Sequence, residues 1–359
     1  MPSRLDALIR GVRPVDWALE PHARRHLDSL TKPPGSLGRL EDLAAQMYCI
    51  QGGAPQMDPA RIYTIGGDHG VHAEGVSPSV QAVTRQMMAN FLSGGGGINA
   101  LTDVYGIDFK AVDAGCLGGP FPEHPRLIQR KIAEGTDNLA AGPAMSRENC
   151  IRAILLGADL AAEARAEGYR TLGTGEMGVA NTTPSTALYC AFFGMDPEEL
   201  TGPGAGLCQD AAARKAAVIR TALTLHAPTI AAGQPLDILA ALGGYEIAAL
   251  AGLIIGGAAQ RLVLVVDGFI SSAAYVAAWK MCPAVAGYCV FSHASAEPGH
   301  SKAMQAMQAS PLLDLGMRLG EGTGAAVAMS LLRGAAHAYN AMATFDDAGV
   351  TEVEDPFAS

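Results

Sequence analysis

One glutamate stands between glycines, directly before a stretch rich in alanine, valine, methionine and leucine. Glu321 lies between Gly320 and Gly322. Glycines permit backbone angles that other residues reach only with strain, and they let a ligand approach the main chain closely. The pattern therefore favours Glu321 as a carboxylate that contacts a ligand. The alternative is a tight turn in which Glu321 is only a first-turn acid of the helix that follows.

A second glutamate, Glu176, has similar surroundings in residues 173–183. Two glutamates framed by glycines predict one site with two carboxylates. Residues 173–178 also match GxGxxG. The match lies mid-chain and lacks the combination of a strand with an acid at the required distance downstream, which argues against a dinucleotide-binding fold. The sequence has no GxxxxGK[ST] loop and no GxSxG elbow, so it excludes P-loop nucleotide hydrolases and gives serine hydrolases little support.

Composition limits the class of protein. The 359 residues allow one large or two ordinary domains. Lys and Arg number 25 against 35 Asp and Glu, a formal net charge of −10 without a basic block, so we expect no nucleic-acid partner. Seven scattered cysteines without a CxxC pair predict reduced thiols and a cytoplasmic protein. Residues 1–17 lack a signal-peptide pattern and the apolar run 247–259 is too short to span a bilayer, so we expect no membrane association.

Short apolar segments predict buried strands, and helical spacing of apolar residues predicts helices. The predicted strands are residues 61–67, 108–113, 151–156, 171–174, 262–266 and 287–291. The predicted helices include residues 21–30, 40–51, 80–91, 158–167, 186–193, 211–225 and 235–257. Strands that alternate with helices predict an α/β fold with a largely parallel sheet and right-handed crossovers.

Turns rich in glycine and serine follow several predicted strands, as at residues 173–176, 267–272 and 292–297. Ligand crevices of open α/β sheets lie at these strand ends, where backbone N–H groups at helix starts bind anions such as phosphate. After the first strand come His69 and His72, beside acidic residues. A metal site there is disfavoured, because a loop offers no helical face to align the ligands.

The loop at residues 31–39 contains two consecutive prolines and a glycine, which make it rigid and extended. It carries two charged side chains, Lys32 and Arg39. Without other information, these two side chains are interpreted as solvated.

Six motifs together resemble the nicotinate-nucleotide:dimethylbenzimidazole phosphoribosyltransferase family, which assembles the nucleotide loop of cobalamin. They follow the family's order over nearly the whole chain, at residues 30–41, 68–87, 175–183, 267–269, 292–297 and 320–324. The resemblance implies transfer of a 5-phosphoribosyl group from nicotinate mononucleotide to a nitrogen of 5,6-dimethylbenzimidazole, giving α-ribazole 5′-phosphate and nicotinate. It implies neither a cofactor nor a metal.

The resemblance also implies roles for individual residues. Glu321 is the general base that takes the N–H proton of the attacking benzimidazole, and Glu176 is the carboxylate on the ribose side. The implied phosphoribosyl-binding residues are Met177, Gly178, Val179, Lys215, Asp267, Gly268 and Ser295. The implied benzimidazole-binding residues are Ser79, Gln86, Met87 and Leu319. Segment 76–80 departs from the commoner family pattern, so Ser77 and Gln86 are alternatives to Ser79, and core packing is the alternative for Met87 or Met88.

At the level of architecture, the resemblance implies a Rossmann-like three-layer domain over residues 51–335, with helices on both faces of the sheet. Residues 1–50 and 336–359 are expected to form a small helical domain, and the protein is expected to be a homodimer. A non-catalytic relative that binds ribazole-like ligands is the alternative, against which the retained Glu321 argues. Whether the cell uses dimethylbenzimidazole, adenine or a phenol stays open.

Overall fold

The computed structural model describes residues 3–201 and 209–351. The α-helices in these ranges are α1 Arg4–Gly11, α2 Glu20–Ser29, α3 Arg39–Gln51, α4 Val83–Leu92, α5 Gly97–Tyr105, α6 Arg147–Ala166, α7 Thr182–Phe193, α8 Pro197–Leu200, α9 Gln209–Leu225, α10 Ala227–Ala232, α11 Pro235–Leu242, α12 Tyr245–Ala259, α13 Phe269–Met281, α14 His300–Met307, α15 Thr323–Ala341 and α16 Phe345–Ala348. The strands are β1 Ala60–Gly67, β2 Asp108–Gly115, β3 Leu127–Gln129, β4 Thr171–Met177, β5 Val263–Val266 and β6 Cys289–Phe291. Short 3-10 helices occupy Trp17–Leu19, Gly70–Glu74 and Pro283–Tyr288. No helix in the described ranges is both long and apolar enough to cross a bilayer.

The six strands form one parallel sheet in the order β3-β2-β1-β4-β5-β6, which confirms the predicted α/β class. The chain runs outward from β1 to one edge and then, through β4, to the other. In the register between these two central strands, Ile65 lies beside Glu176 and Gly66 beside Met177. The order of the strands reverses here, and open α/β sheets bind ligands at the carboxyl ends of such strands.

Helices cover both faces of this sheet, as the alternating residues of β1 demonstrate. On one face, the Tyr63 hydroxyl donates to a carbonyl of α6 at 3.3 Å, and Gly67 lies against the start of α12. On the other face, the Thr64 hydroxyl donates at 2.6 Å to the main chain before α15, and Gly66 lies against α4. All eight residues of β1 are buried, because each has a helix layer on its side of the sheet.

The strand predicted at residues 151–156 is wrong, because these residues lie inside α6. Ser146 begins this helix, and its hydroxyl accepts a hydrogen bond from the N–H of Asn149 at 3.1 Å. Gly157 of α6 faces a carbonyl of α12 and Gly252 of α12 faces a carbonyl of α6, each so closely that a Cβ would collide. The apolar run is therefore a buried helix in backbone contact with another buried helix, and periodicity alone does not separate that case from a buried strand.

Three further elements differ from their predictions. The strand β3 was not predicted, since two of its three residues are only partly buried, the third is exposed, and the strand pairs with β2 alone. The helix predicted at residues 235–257 is two helices, α11 and α12, separated at Gly243 and Gly244. The last strand begins later than predicted, because Pro283–Tyr288 forms a 3-10 helix.

The long helix α15 connects the sheet with the N-terminal helices. Near its end, the carbonyl of Tyr339 lies 2.8 Å from Nε2 of His26, and the N–H of Thr31 donates to the carbonyl of Ala343 at 3.0 Å. The helix runs without a break through the boundary at residues 335 and 336, so the division into 51–335 and a small helical domain stays a prediction. Residues 1, 2 and 352–359 of that predicted small domain lie outside the described ranges.

The interpretation of the two charges as solvated is wrong for Lys32 and incomplete for Arg39. Lys32 is buried, with its ammonium 2.8 Å from the carboxylate of Glu41. Arg39 is exposed, yet its guanidinium donates to the carbonyls of Ser310 and Pro311 at 2.9 and 2.6 Å. Both charges therefore fix the loop 31–39 to the rest of the protein.

Candidate active site

One cleft opens at the carboxyl ends of the central strands, and it has two recesses. The lysine recess is lined by Ser77, Ser79, Val83, Val179 and Lys215, among others. The arginine recess is lined by Glu176, Asp267, Gly268, Ser295, Arg318 and Leu319, among others. Both recesses share Met177 and Gly178 at the end of β4. The structure thus places most of the predicted site residues around one continuous cleft.

Glu321 lies on a strained loop beside this cleft. Its φ is +63°, between Gly320 at +82° and Gly322 at +94°, and a left-handed backbone costs a residue with a Cβ roughly 1–2 kcal/mol. Its carboxylate is buried, and Oε2 accepts a hydrogen bond from the N–H of Ile98 at 3.0 Å. The carboxylate therefore caps α5 and does not cap α15, the helix that follows it in sequence.

Burial raises the pKa of Glu321 above its ordinary value, against the opposing effect of the backbone N–H groups of Ile98 and Gly97. A carboxylate with a raised pKa is a stronger base. Backbone strain of this kind clusters at functional sites, where the surrounding contacts are strong enough to hold it. Glu321 is 4 % exposed, so it lies beside the cleft and not on its open lining.

Asp267, and not Glu321, is the acid that binds the first N–H groups of α15. Its carboxylate accepts hydrogen bonds from the N–H groups of Gly322 and Ala325 at 3.2 and 2.9 Å. Burial raises the pKa of Asp267 to about 7 despite these bonds. Asp267 thus holds the strained loop to the end of β5, in addition to lining the arginine recess.

Glu176 is buried at the end of β4, where Asn181 donates a hydrogen bond to its Oε2. Gly320 lies against the other carboxylate oxygen so closely that a Cβ would collide. Burial raises the pKa of Glu176 to about 8, and the neighbouring carboxylates Asp267 and Glu321 add to the rise. At neutral pH, Glu176 therefore carries its proton in most molecules. Gly320 is required because a Cβ at this position would collide with Glu176.

Lys215 reaches the cleft from α9 and meets the start of α7. Its ammonium donates to the hydroxyl of Thr182 at 2.6 Å, and burial lowers the pKa of Lys215 to about 8. The N–H of Val179, which the resemblance places among the phosphoribosyl-binding residues, already donates to the hydroxyl of Thr84 at 3.0 Å. A cation beside a helix N-terminus is a suitable place for an anion such as phosphate.

Ser295 is positioned by a buried histidine that the sequence did not single out. The N–H of Ser295 donates to Nδ1 of His300 at 2.7 Å, and Nε2 of His300 lies 3.3 Å from the hydroxyl of Ser272. Because Nδ1 accepts, the ring proton is on Nε2 and faces Ser272. Burial lowers the pKa of His300 to about 4, which keeps the ring neutral and able to accept this bond.

The residues predicted to bind benzimidazole do not all share the cleft. Ser77 and Ser79 both line the lysine recess, so the structure leaves the choice between them open. Leu319 is 61 % exposed at the arginine recess. Gln86 faces a separate surface recess, and Met87 is half-buried outside the lining. Met88 is the methionine of this helix that packs in the core.

His69 takes part in a buried pair and not in a metal cluster. Its Nε2 lies 2.6 Å from Oε1 of Glu246, with both side chains inaccessible to solvent. In the part of the chain that the structure describes, no group of His, Cys, Asp and Glu side chains could hold a metal ion. Glu246 is distant in sequence and opens α12, so no local pattern pointed to the pair.

Comparison with known proteins assigns the family. The phosphoribosyltransferase family model matches residues 12–350. Nicotinate-nucleotide–dimethylbenzimidazole phosphoribosyltransferase of Nitratidesulfovibrio vulgaris (strain DP4) is 60 % identical over 357 residues, which are 99 % of this chain and 100 % of the relative. The protein of that name from Chlorobaculum tepidum is 48 % identical over 99 % of this chain and 100 % of its own length. A crystal structure of the Thermus thermophilus protein superposes with a TM-score of 0.87 at 42 % identity, covering 94 % of this chain and 99 % of that chain. The chain therefore belongs to the nicotinate-nucleotide:dimethylbenzimidazole phosphoribosyltransferase family.

Proposed function

We propose that this protein transfers the 5-phosphoribosyl group of nicotinate mononucleotide to a ring nitrogen of 5,6-dimethylbenzimidazole, in assembly of the lower ligand of cobalamin. The observation that carries the proposal is the cleft, which has the buried ammonium of Lys215 in one recess and the buried carboxylates of Glu176 and Asp267 in the other. The full-length similarity to relatives named for this reaction supports it.

The proposed reaction needs a base more than it needs an acid. As the bond from C1′ to the nicotinate nitrogen breaks, its electron pair stays on the pyridine ring, which becomes neutral. The attacking benzimidazole nitrogen bonds to C1′, and the ring would become cationic unless its other nitrogen loses a proton. Glu321 is the proposed acceptor of that proton, because burial raises its pKa toward the range useful for general base catalysis.

The phosphoryl and ribosyl groups are then assigned by charge. The phosphate lies in the lysine recess, near the ammonium of Lys215 and the N-terminus of α7. The ribose lies toward Glu176 and Asp267, and a Glu176 that carries its proton both donates and accepts hydrogen bonds to hydroxyl groups. The flat base lies against Leu319, whose side chain is beside Gly97 at the start of α5, close to the carboxylate of Glu321.

The experiment that tests this proposal is a product assay with β-configured nicotinate mononucleotide and 5,6-dimethylbenzimidazole. We expect nicotinate and ribazole 5′-phosphate in equal amounts, because each transfer releases one nicotinate. The ribazole phosphate should be α-configured, because one in-line displacement inverts the anomeric carbon. Mixed-base incubations with adenine and phenols identify the preferred acceptor. A β-configured product, or a ribosyl group trapped on Glu176 or Glu321, would contradict the single displacement, and no product with any base would reject the function.

Replacement of Lys215 with Ala should weaken nucleotide binding more than it slows the reaction. A phosphate contact remote from C1′ stabilises substrate and transition state alike, so KM rises first. We expect KM for the mononucleotide to rise roughly 10- to 100-fold, the range of one hydrogen bond to a charged group, with kcat little changed. Arg214→Ala is the matched control, since Arg214 is the adjacent, exposed cation on α9. An unchanged KM with a collapsed kcat would remove Lys215 from the phosphate site.

The homodimer and the cytoplasmic location remain proposals that rest on the family and on the cysteine content. The same holds for Ser77 or Ser79, Gln86 and Met87 as contacts of the base. Of these, Gln86 has the least geometric support, because it lines a separate surface recess.

A further inference from the structure

Arg318 lies at the mouth of the arginine recess on a segment that the main chain holds firmly. The preceding residues run beside residues 292–296, where the N–H of Ala294 donates to the carbonyl of Leu313 at 2.7 Å. The N–H of Ala296 donates to the carbonyl of Met317 at 2.9 Å. The backbone of Arg318 is therefore held by main-chain hydrogen bonds of its neighbours, directly before the strained loop that carries Glu321.

The guanidinium of Arg318 makes no hydrogen bond or ion pair with the part of the chain that the structure describes. Three carboxylates line the same recess, on Glu176, Asp267 and Glu297. The other cation of the cleft, Lys215, lines the lysine recess and is bonded to Thr182 at 2.6 Å. One cation without a partner therefore faces the recess opposite the proposed phosphate site.

The proposed substrate has two anionic groups, a phosphate and the carboxylate on its pyridine ring. The phosphate is assigned to Lys215, which leaves the ring carboxylate without a cation. Those carboxyl groups of the recess that are deprotonated would repel the ring carboxylate, because like charges close together destabilise each other. A guanidinium matches a carboxylate well, since its planar fork donates two parallel hydrogen bonds.

We propose that Arg318 binds the ring carboxylate of the nicotinate group and so selects nicotinate mononucleotide over nicotinamide mononucleotide. This inference rests on the proposed function, because it requires the nicotinate group to lie in the arginine recess. Nicotinamide mononucleotide has a neutral amide in place of the carboxylate, so it gains much less from a guanidinium. Arg318 is then a specificity-determining residue that also holds the leaving group as its ring becomes neutral.

Calorimetric titration of wild type and Arg318→Gln with the two mononucleotides, without benzimidazole, tests this inference. We expect the affinity for nicotinate mononucleotide to fall roughly 10- to 100-fold, as for loss of a charge-assisted hydrogen bond. Affinity for nicotinamide mononucleotide should change by less than about threefold. Arg318→Lys keeps the charge without the planar fork, so its affinity for nicotinate mononucleotide should lie between those of wild type and Arg318→Gln. Arg147→Gln, on an exposed arginine of α6, is the control that leaves both affinities unchanged.

The outcomes separate this inference from the function on which it rests. Equal loss of affinity for both nucleotides, or a preference that Arg318→Gln leaves intact, would overturn the role of Arg318 while the product assay still succeeded. A wild type that binds both nucleotides equally would also overturn it. Failure of the product assay alone would instead reject the transfer reaction, since the titration needs no turnover. Thermal melting of each variant verifies folding, and an exposed side chain without partners should leave the melting temperature unchanged.

Discussion

Replacement of Glu321 with Gln should lower the transfer rate by ~10²–10⁴-fold, the usual contribution of a positioned general base. Glutamine keeps the length of the side chain, and its carbonyl oxygen can still accept the hydrogen bond from Ile98. It cannot accept a full proton from the benzimidazole. Affinity for the mononucleotide should therefore stay within a few-fold of wild type, with the loss in kcat.

The pH dependence of the rate tests the role of Glu321 as general base independently of the rate itself. Burial raises the pKa of Glu321, so the active, deprotonated form is lost at a higher pH than for an exposed glutamate. The value of kcat/KM for wild type should fall as the pH falls through this raised pKa. Glu321→Gln should lose that acidic limb, because its residual activity no longer depends on this proton.

The competing explanation is that Glu321 only caps α5. A lost cap costs about 1 kcal/mol of stability and would leave turnover nearly intact. Glu134→Gln is the matched control, because the carboxylate of Glu134 also accepts hydrogen bonds from backbone N–H groups but lies outside the cleft. Turnover of Glu321→Gln within about threefold of wild type would remove Glu321 from the mechanism. Glu176 would then be the leading base, although a pKa of about 8 leaves it largely protonated at neutral pH.

The sequence predicted which turns surround the site better than it predicted the side-chain contacts within it. The glycine-rich turns after residues 171–174 and 262–266 were placed correctly, because turns after buried parallel strands share one edge of the sheet. Glu176 and Asp267 could therefore be expected near each other. The specific roles of Glu321 and Lys215 came from the family resemblance, since an acid between glycines and a helical lysine are common in sequences.

What the sequence did not predict depends on partners far along the chain. The carboxylate of Glu321 accepts a hydrogen bond from Ile98, 223 residues away. No local sequence pattern therefore indicates that Glu321 caps α5 and not α15. The contact of Gly157 with α12 is of the same kind, and without it the apolar run before Gly157 is equally typical of a strand. The unpredicted strand β3 is an edge strand of three residues, too short to form a recognisable pattern.

The buried pair of His69 and Glu246 should be a major contributor to stability. Both side chains are inaccessible, and Nε2 of His69 is 2.6 Å from Oε1 of Glu246. Gly67, Gly178 and Gly244 surround the pair so closely that a Cβ on any of them would displace it or the adjacent main chain. Neither side chain can turn toward solvent, so removal of one partner leaves the other buried without its hydrogen bond.

We expect Glu246→Leu to lower the free energy of unfolding by ~3–5 kcal/mol, the usual cost of breaking a buried pair by removing one partner. His69→Leu should cost a similar amount, and the double variant should cost less than the sum, because the second change removes the group that the first left unpaired. Equilibrium urea unfolding of the four proteins measures this cycle. Glu20→Ala is the control, since Glu20 forms a partly exposed surface pair with Arg24 at 3.0 Å that should contribute less than about 1 kcal/mol. A cost under about 1 kcal/mol for Glu246→Leu, or additive single variants, would show that the two side chains do not depend on each other.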